Sequence, residues 1–374
     1  MVLALTLCSA MTGAGAADLT GEREDTRMLV PVGQTVGIKL FARGVLVVKL
    51  PEEDSPARAC GLKEGDVILS CGGSTITSTE QFQSLLQKSD GEKTDLQVHR
   101  NGVTMCVTVD PEANEQGNYC IGAWIRDSMA GIGTMTYYDP ETGTFGALGH
   151  GIADVDTAQL MPFSDGEILP SKVKAVKKGE AGCAGELRGD FDLTRGLGDL
   201  YANTDCGVFG TLEPAADALE LGDAIPTGEA RKGSAVIRAN VEGDRVEEYD
   251  IEIVKVLSNA PDGRDMVLSV TDPDLIAKTG GIVQGMSGSP IIQGGKLVGA
   301  VTHVLLNDAT RGYGISIETM LNAAGYRRRT YGFLSSPNRF WDGSCHESIR
   351  NDDLLCHDRG AKAGGFEQSA QSPK

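Results

Sequence analysis

Gly280 to His303 reads GGIVQGMSGSPIIQGGKLVGAVTH. An apolar pair, Ile282 and Val283, leads into the tight turn Gly285-Met286-Ser287-Gly288. Pro290-Ile291-Ile292 follows as a short strand, Gln293-Gly294-Gly295 turns the chain, and Lys296 to His303 returns as a second strand. The glycines let the backbone fold tightly enough for the amides of Gly285 and Ser287 to face one spot. Two amides aimed at one spot stabilise an oxyanion, so the stretch reads as a mount for a nucleophilic serine. An ordinary glycine hairpin with an exposed serine would use the same residues. The rest of the chain must therefore supply the partners of such a serine.

A serine nucleophile needs a base to take its proton and a group to orient that base. The chain has 5 histidines. His99 lies in a predicted strand and reads as surface or core filler. His303 lies on the strand returning from the elbow and is the weaker candidate base. His150, in Phe145-Gly-Ala-Leu-Gly-His-Gly-Ile, sits between two glycines just past a predicted strand, well separated from the serine. That flanking suits a presented side chain better than a packed one. For the orienting acid, Asp154 and Asp156 are too local to His150. Asp190, Asp192 and Asp205 lie between histidine and serine. Asp272 lies shortly before the serine. The residues alone leave this choice open.

Composition bounds the classes. The 374 residues suffice for two or three domains, and 40% hydrophobic content supports a real core. With 49 glycines, 5% aromatics and many short apolar runs, the chain reads as mainly β. A net charge of −18 lacks the basic footprint of a nucleic-acid binder. The 9 cysteines include no CxxC pair, so neither a zinc ribbon nor a thioredoxin-like site is expected. Cys345-His346 and Cys356-His357 have no hydrophobic framework around them, and no metal or other cofactor is expected.

Residues 1–33 open with an apolar run of signal-peptide length, Val2 to Met11, and Ala14-Gly15-Ala16-Ala17 resembles a cleavage site. Export, or membrane association through the N-terminus, is the expectation. Residues 34–112 read as a small domain. Gly37 to Leu40 and Gly44 to Leu50 are predicted strands, Ser78 caps a helix with Gln81 three residues on, and Asn101-Gly102 is a type I′ hairpin signal. The run Ser55-Pro-Ala-Arg-Ala-Cys-Gly-Leu-Lys-Glu-Gly-Asp-Val-Ile-Leu resembles a PDZ domain. The resemblance implies a groove for an extended peptide, expected along Gly44, Val45, Leu46 and Val47 beside the capped helix. Residues 113–325 show short strands with glycine turns, the pattern of a barrel or sandwich. Thr271 or Asp272 is expected to cap a helical turn with Pro273 at its first position. Residues 326–374 are expected to be a disordered tail.

The β-rich half resembles the stage IV sporulation protein B peptidase family. The residues that carry the resemblance are Phe145 to Ile152, Ile253 to Val256, Thr271 to Leu275, Thr279 to Ile292 and Gly299 to Val304. The resemblance spans roughly residues 30–325, PDZ domain included. It implies a chymotrypsin-like, two-lobed β-barrel serine peptidase domain after the PDZ domain. His150 would be the base, Ser287 the nucleophile and Asp272 the aspartate, with the amides of Gly285 and Ser287 as the oxyanion hole.

It further implies an exported signalling protease, acting in the intermembrane space of the developing spore. Such a protease would cleave itself and a regulator of a membrane-embedded metalloprotease, triggering the late mother-cell sigma factor. A PDZ adaptor with an inactive protease-like domain is the alternative, though Ser287 and His150 are both present. An α/β-hydrolase is disfavoured, because there the serine opens a helix, whereas here it opens a hairpin.

Overall fold

The computed structural model describes residues 26–192, 194–213, 219, 221–257 and 263–325. The apolar N-terminal stretch and the 326–374 tail, with its two Cys-His pairs, lie outside them. No helix among the described residues is long and apolar enough to cross a membrane.

The chain enters through β1 (Met28–Pro31) and turns at Gly33 into β2 (Thr35–Lys49). The two strands expected at Gly37 and Gly44 are thus one strand of 15 residues. Val36, Ile38, Leu40 and Ala42 point into one core, whereas Val45 and Val47 point into another. The change occurs at Gly44, where φ is +92° and a Cβ would lie 2.4 Å from the Ile68 carbonyl oxygen. Only glycine lets the strand bend there without displacing its neighbour.

The PDZ domain follows as α1 (Pro56–Ala59), β3 (Val67–Cys71), β4 (Ser74–Thr75), α2 (Thr79–Lys88), β5 (Thr94–Arg100) and β6 (Val103–Val109). Ser78 caps α2 by accepting from the Gln81 amide, and Phe82 and Leu86 are the buried face of that helix. Asn101 and Gly102 take φ of 49° and 80°, the two positive values of a type I′ turn. A short hairpin, β7 (Glu112–Ala113) and β8 (Tyr119–Cys120), then leads to β9 (Trp124–Asp139).

β9 runs back along β2, from Lys49 opposite Trp124 to Thr35 opposite Thr134. The PDZ domain is therefore an insertion between two paired strands. The boundaries expected at 34–112 and 113–325 do not describe this arrangement, because Thr35 to Ala42 already belong to the first barrel. The peptide edge expected along Gly44–Val47 is also corrected. Val45 and Leu46 pair with β3, while Leu46 and Val47 pair with β9, so both sides of that strand are taken.

After β9 come β10 (Thr144–Ala147), β11 (Phe163–Lys177), β12 (Glu186–Phe191), β13 (Gly198–Thr204) and β14 (Gly207–Leu212). β9, β10, β14, β13, β11 and β2 pair in that order and close on themselves as the first barrel. β12 extends from β11 outside the ring, and β15 (Ile225–Pro226) pairs with β1.

The second barrel contains β16 (Gly233–Glu242), β17 (Arg245–Val256), β18 (Met266–Val270), β19 (Pro290–Gln293), β20 (Lys296–Leu305) and β21 (Asp308–Ser316). It closes in the order β16, β17, β18, β21, β20, β19. α3 (Pro273–Thr279) precedes the serine turn, and α4 (Ile317–Ala323) ends the described chain. Leu29 of β1 with Tyr137 and Phe209 of the first barrel packs against Ala300 and Ile315 of the second and Met320 of α4. Alternating apolar residues thus fill each barrel, and a third apolar cluster fastens the two together. The functional loops meet at that seam.

Candidate active site

The serine turn is anchored from four directions. Asp272 caps α3 by accepting from the amides of Asp274 and Leu275, and Gly280 ends the helix in the left-handed conformation at φ +80°. Met286 and Ser289 on either side of Ser287 are fully buried, which leaves Ser287 half-buried and facing the seam. Thr134 of β9 reaches across from the first barrel. Its hydroxyl donates to the Gly285 carbonyl at 2.7 Å and its amide donates to the Ser287 carbonyl at 3.0 Å. On the other side, the Gly288 amide donates to Val301 at 2.8 Å.

These bonds also orient the two oxyanion donors. The Gln284 carbonyl accepts from the Leu187 amide at 2.8 Å, and the Met286 carbonyl accepts from the Ser289 amide at 2.9 Å. In a trans peptide the next N–H points the opposite way. The Gly285 and Ser287 amides are thereby turned from those partners, and among the described residues neither donates to a protein acceptor. Free, fixed N–H groups separated by one residue are what a developing oxyanion requires.

Gly288 allows the two barrels to meet. Its φ is +98°, and a Cβ would lie 2.0 Å from the Thr134 carbonyl oxygen and 2.6 Å from the Leu148 nitrogen. Leu148 and Gly149 then carry the chain from β10 to His150 with φ of +68° and +69°. Positive φ at a leucine is strained, and such strain persists only where surroundings enforce it. Gly149 sits against the second barrel, where a Cβ would lie 2.8 Å from Ile315 Cγ2 and 2.9 Å from Thr302 Cγ2.

His150 Nδ1 donates to the Gly151 carbonyl at 2.8 Å. A carbonyl can only accept, so Nδ1 carries the proton and Nε2 keeps its lone pair. Burial pulls the His150 pKa below the ordinary imidazole value, with the Gly151 bond opposing in part. Together these favour a neutral imidazole able to take a proton at Nε2. The His303 ring lies 5.0 Å from the His150 ring, centre to centre, tilted by 39°. Ser287 Oγ donates to the Thr302 carbonyl at 2.6 Å and is bonded to neither imidazole. That bond must break before the hydroxyl can donate to a base.

Asp272 is not brought to His150. Its carboxylate accepts from the amides of Asp274 and Leu275, both at 2.9 Å, and from the Asp250 amide at 3.3 Å. All three lie in the second barrel, and His150 is bonded instead to Gly151 of the first. Two of the open alternatives, and the local Asp154, are engaged elsewhere too. Asp190 pairs with Lys174, Asp192 binds Thr194, and Asp154 pairs with Arg126. Among the described residues no carboxylate is bonded to His150; its orienting group is a backbone carbonyl. Sequence reading missed Thr134 and Thr302, which clamp and hold the serine turn, and it set His303 aside. A threonine in a strand carries no signal of such a role.

At the PDZ domain, α2 faces the segment that ends in β9. The side-chain amides of Gln83 and Gln87 both donate to the Tyr119 carbonyl, at 2.9 and 2.8 Å, and the Thr79 amide donates to the Asp127 carboxylate at 2.8 Å. The strand beside α2 is therefore the start of β9 rather than Gly44–Val47.

A sequence-family model described as SpoIVB peptidase S55 matches residues 117–321, and a PDZ domain model matches residues 47–100. The chain belongs to the SpoIVB peptidase S55 family. Its matched parts are the S55 peptidase region and a PDZ domain. The S55 match begins before β9 and ends in α4, so it takes in the strand that the PDZ domain and first barrel share. Curated relatives resemble shorter pieces. A putative zinc metalloprotease of Clostridium perfringens is 33% identical over 82 residues, 22% of this chain and 24% of the relative. The zinc metalloprotease RasP of Oceanobacillus iheyensis is 29% identical over 101 residues, 27% of this chain and 23% of the relative. The chain thus spans about a quarter of the length of these relatives. Among solved structures, the active form of the Rv3671c protease from M. tuberculosis is similar at 14% identity with a TM-score of 0.30, covering 54% of this chain and 76% of that one.

Proposed function

We propose that this S55 peptidase is an exported endopeptidase with a chymotrypsin-like, acyl-enzyme mechanism. The observation that carries the reading is the serine turn. Ser287 stands at the barrel seam with two oriented, unengaged amides beside it and a neutral imidazole on the facing loop. In the first step Ser287 Oγ attacks the scissile carbonyl carbon and its proton passes to His150 Nε2. The carbonyl oxygen becomes an oxyanion held by the Gly285 and Ser287 amides, an effect of roughly 100- to 1,000-fold in rate per donor. Collapse breaks the C–N bond, the leaving amine takes the proton from His150, and an ester to Ser287 remains. Water, deprotonated by His150, then hydrolyses the ester.

Family membership supports a finer reading. The substrates would be the chain itself and a regulator of a membrane-embedded metalloprotease, cleaved in the space between the two membranes of the developing spore. That cleavage would trigger the late mother-cell sigma factor. The apolar run at Val2 to Met11 supports export. Incubation of the intact chain with a fluorophosphonate probe tests the mechanism. Labelling is expected on Ser287, lost in Ser287→Ala and strongly slowed in His150→Ala. Labelling that persists in folded Ser287→Ala would assign the nucleophile elsewhere, and a native chain that resists the probe would favour an inactive adaptor.

A further inference from the structure

β9 has one edge without a strand partner. From Trp124 to Thr134 it pairs with β2 alone, and β10 and β1 join it only from Met135 onward. No other strand or isolated bridge among the described residues pairs with Trp124–Gly133. The loop after His150 reaches this part of β9 through a side chain, the Arg126 guanidinium paired with Asp154 and Asp156. Residues 124–132 are accordingly exposed or half-buried, whereas those from Gly133 to Tyr137 are buried. An open row of main-chain donors and acceptors is a template for another strand.

The two ends of that edge are informative. At one end Thr134 holds the Gly285 and Ser287 carbonyls, and Leu148, two residues before His150, donates its amide to the Thr134 carbonyl at 3.1 Å. The edge therefore begins at the reacting groups. At the other end lie α2, tied to Asp127 through Thr79, and Trp124, whose side chain is 55% exposed. Ten residue steps at about 3.3 Å each make the edge roughly 33 Å long. Every ladder made by β2 and β9 is antiparallel. A strand added antiparallel to β9 runs from the serine toward α2.

We propose that the open edge of β9 is an extended docking site for the substrate polypeptide. It takes about ten residues on the C-terminal side of the scissile bond as an added strand and carries their far end to the PDZ helix. The proposal rests on the serine peptidase reading. Its chemistry is main-chain pairing, so the partner is any unfolded or extended segment, with Trp124 offering an apolar surface where that segment reaches the PDZ domain. PDZ domain and active site then read one continuous peptide along a shared strand.

The test uses the intact chain and β-casein, an unstructured protein, with cuts mapped by mass spectrometry. Peptides are built on the strongest cut with a constant N-terminal side and about 2, 6, 10 or 14 residues on the C-terminal side. The expectation is a rise in kcat/KM of about tenfold or more up to roughly 10 residues, then a plateau, from several main-chain bonds of modest net worth. Backbone N-methylation is expected to slow cleavage at alternate positions on that side, because successive N–H groups of a strand point to opposite sides. Rates indifferent to C-terminal length, or N-methyl effects without alternation, would overturn the proposal. So would β-casein left intact by a chain whose Ser287 reacts with the fluorophosphonate, since main-chain pairing tolerates most sequences. A chain that neither cleaves nor reacts overturns the peptidase mechanism itself. Amide exchange at 124–133 that is slow in the free protein, and fast once residues 1–25 are removed, would put the chain's own N-terminus on the edge instead.

Discussion

Gly288 lets the backbone of one barrel rest on the backbone of the other. A methyl group there would meet the Thr134 carbonyl and the Leu148 amide, neither of which is a flexible side chain. Gly288→Ala is expected to cost about 3 kcal/mol or more, from strain at positive φ together with the clash. Urea unfolding measures it, and a stability within about 0.5 kcal/mol of native would mean the seam is looser than the geometry states. Asp272 lends itself to a sharper test. As a helix cap it tolerates asparagine, which caps as well, while Asp272→Ala should lose about 1 kcal/mol. Both variants are expected to keep the native rate of fluorophosphonate labelling, since the carboxylate touches only amides of its own barrel. Folded Asp272→Asn with labelling reduced by orders of magnitude would restore this residue as the orienting acid. Ser287, the glycines around it and His150 were legible in the chain because each answers a local backbone demand. The partner of His150 was not, because the Gly151 carbonyl belongs to every residue type alike.

The decisive element is β9. It forms part of the first barrel, holds the serine turn through Thr134, and supplies the strand beside α2 of the PDZ domain. Its partner β2 lies on the other side of the whole insertion, and Phe41 stands directly opposite Ser128. Replacing residues 42–127 with Asn-Gly should therefore convert β2 and β9 into an ordinary two-residue hairpin. The shortened chain is expected to keep its β-type circular dichroism and to label at Ser287, with less stability because Ala42, Leu46, Val48 and Val67 of the first barrel's core and the PDZ contacts are gone. A chain that no longer folds would show that the barrel needs the Leu46, Val48 and Val67 packing that the insertion brings. Sequence reading found strands at Gly37 and Gly44, and the hairpin at Asn101-Gly102, since alternation and turn residues are local signals. It placed the peptide edge on Gly44–Val47 because a β-branched run beside a capped helix looks the same whether its edges are open or covered.

At the scale of the whole molecule, closing two barrels on each other leaves His150 half-buried at the seam. Its folded pKa lies below the ordinary imidazole value of about 6.5, with burial the larger cause. The unfolded chain therefore takes up the proton first as pH falls. Between the unfolded pKa and the lower folded one, the unfolded state binds more protons, so stability drops with acidification and is complete above the unfolded value. The base also stays neutral further into acid. Fluorophosphonate labelling against pH is expected to show a midpoint below about 6.5, and a midpoint above it would mean His150 is stabilised as a cation. The chain alone determined the mainly β class, the PDZ motif, the serine turn and the glycine-flanked histidine. These depend on turn chemistry, glycine freedom and side-chain alternation, which are written within a few residues. Tertiary structure decided that the PDZ domain is an insertion, that Asp272 is not bonded to His150, and that the open edge belongs to β9. Each of those depends on which strand lies beside which, and that pairing joins residues far apart in the chain.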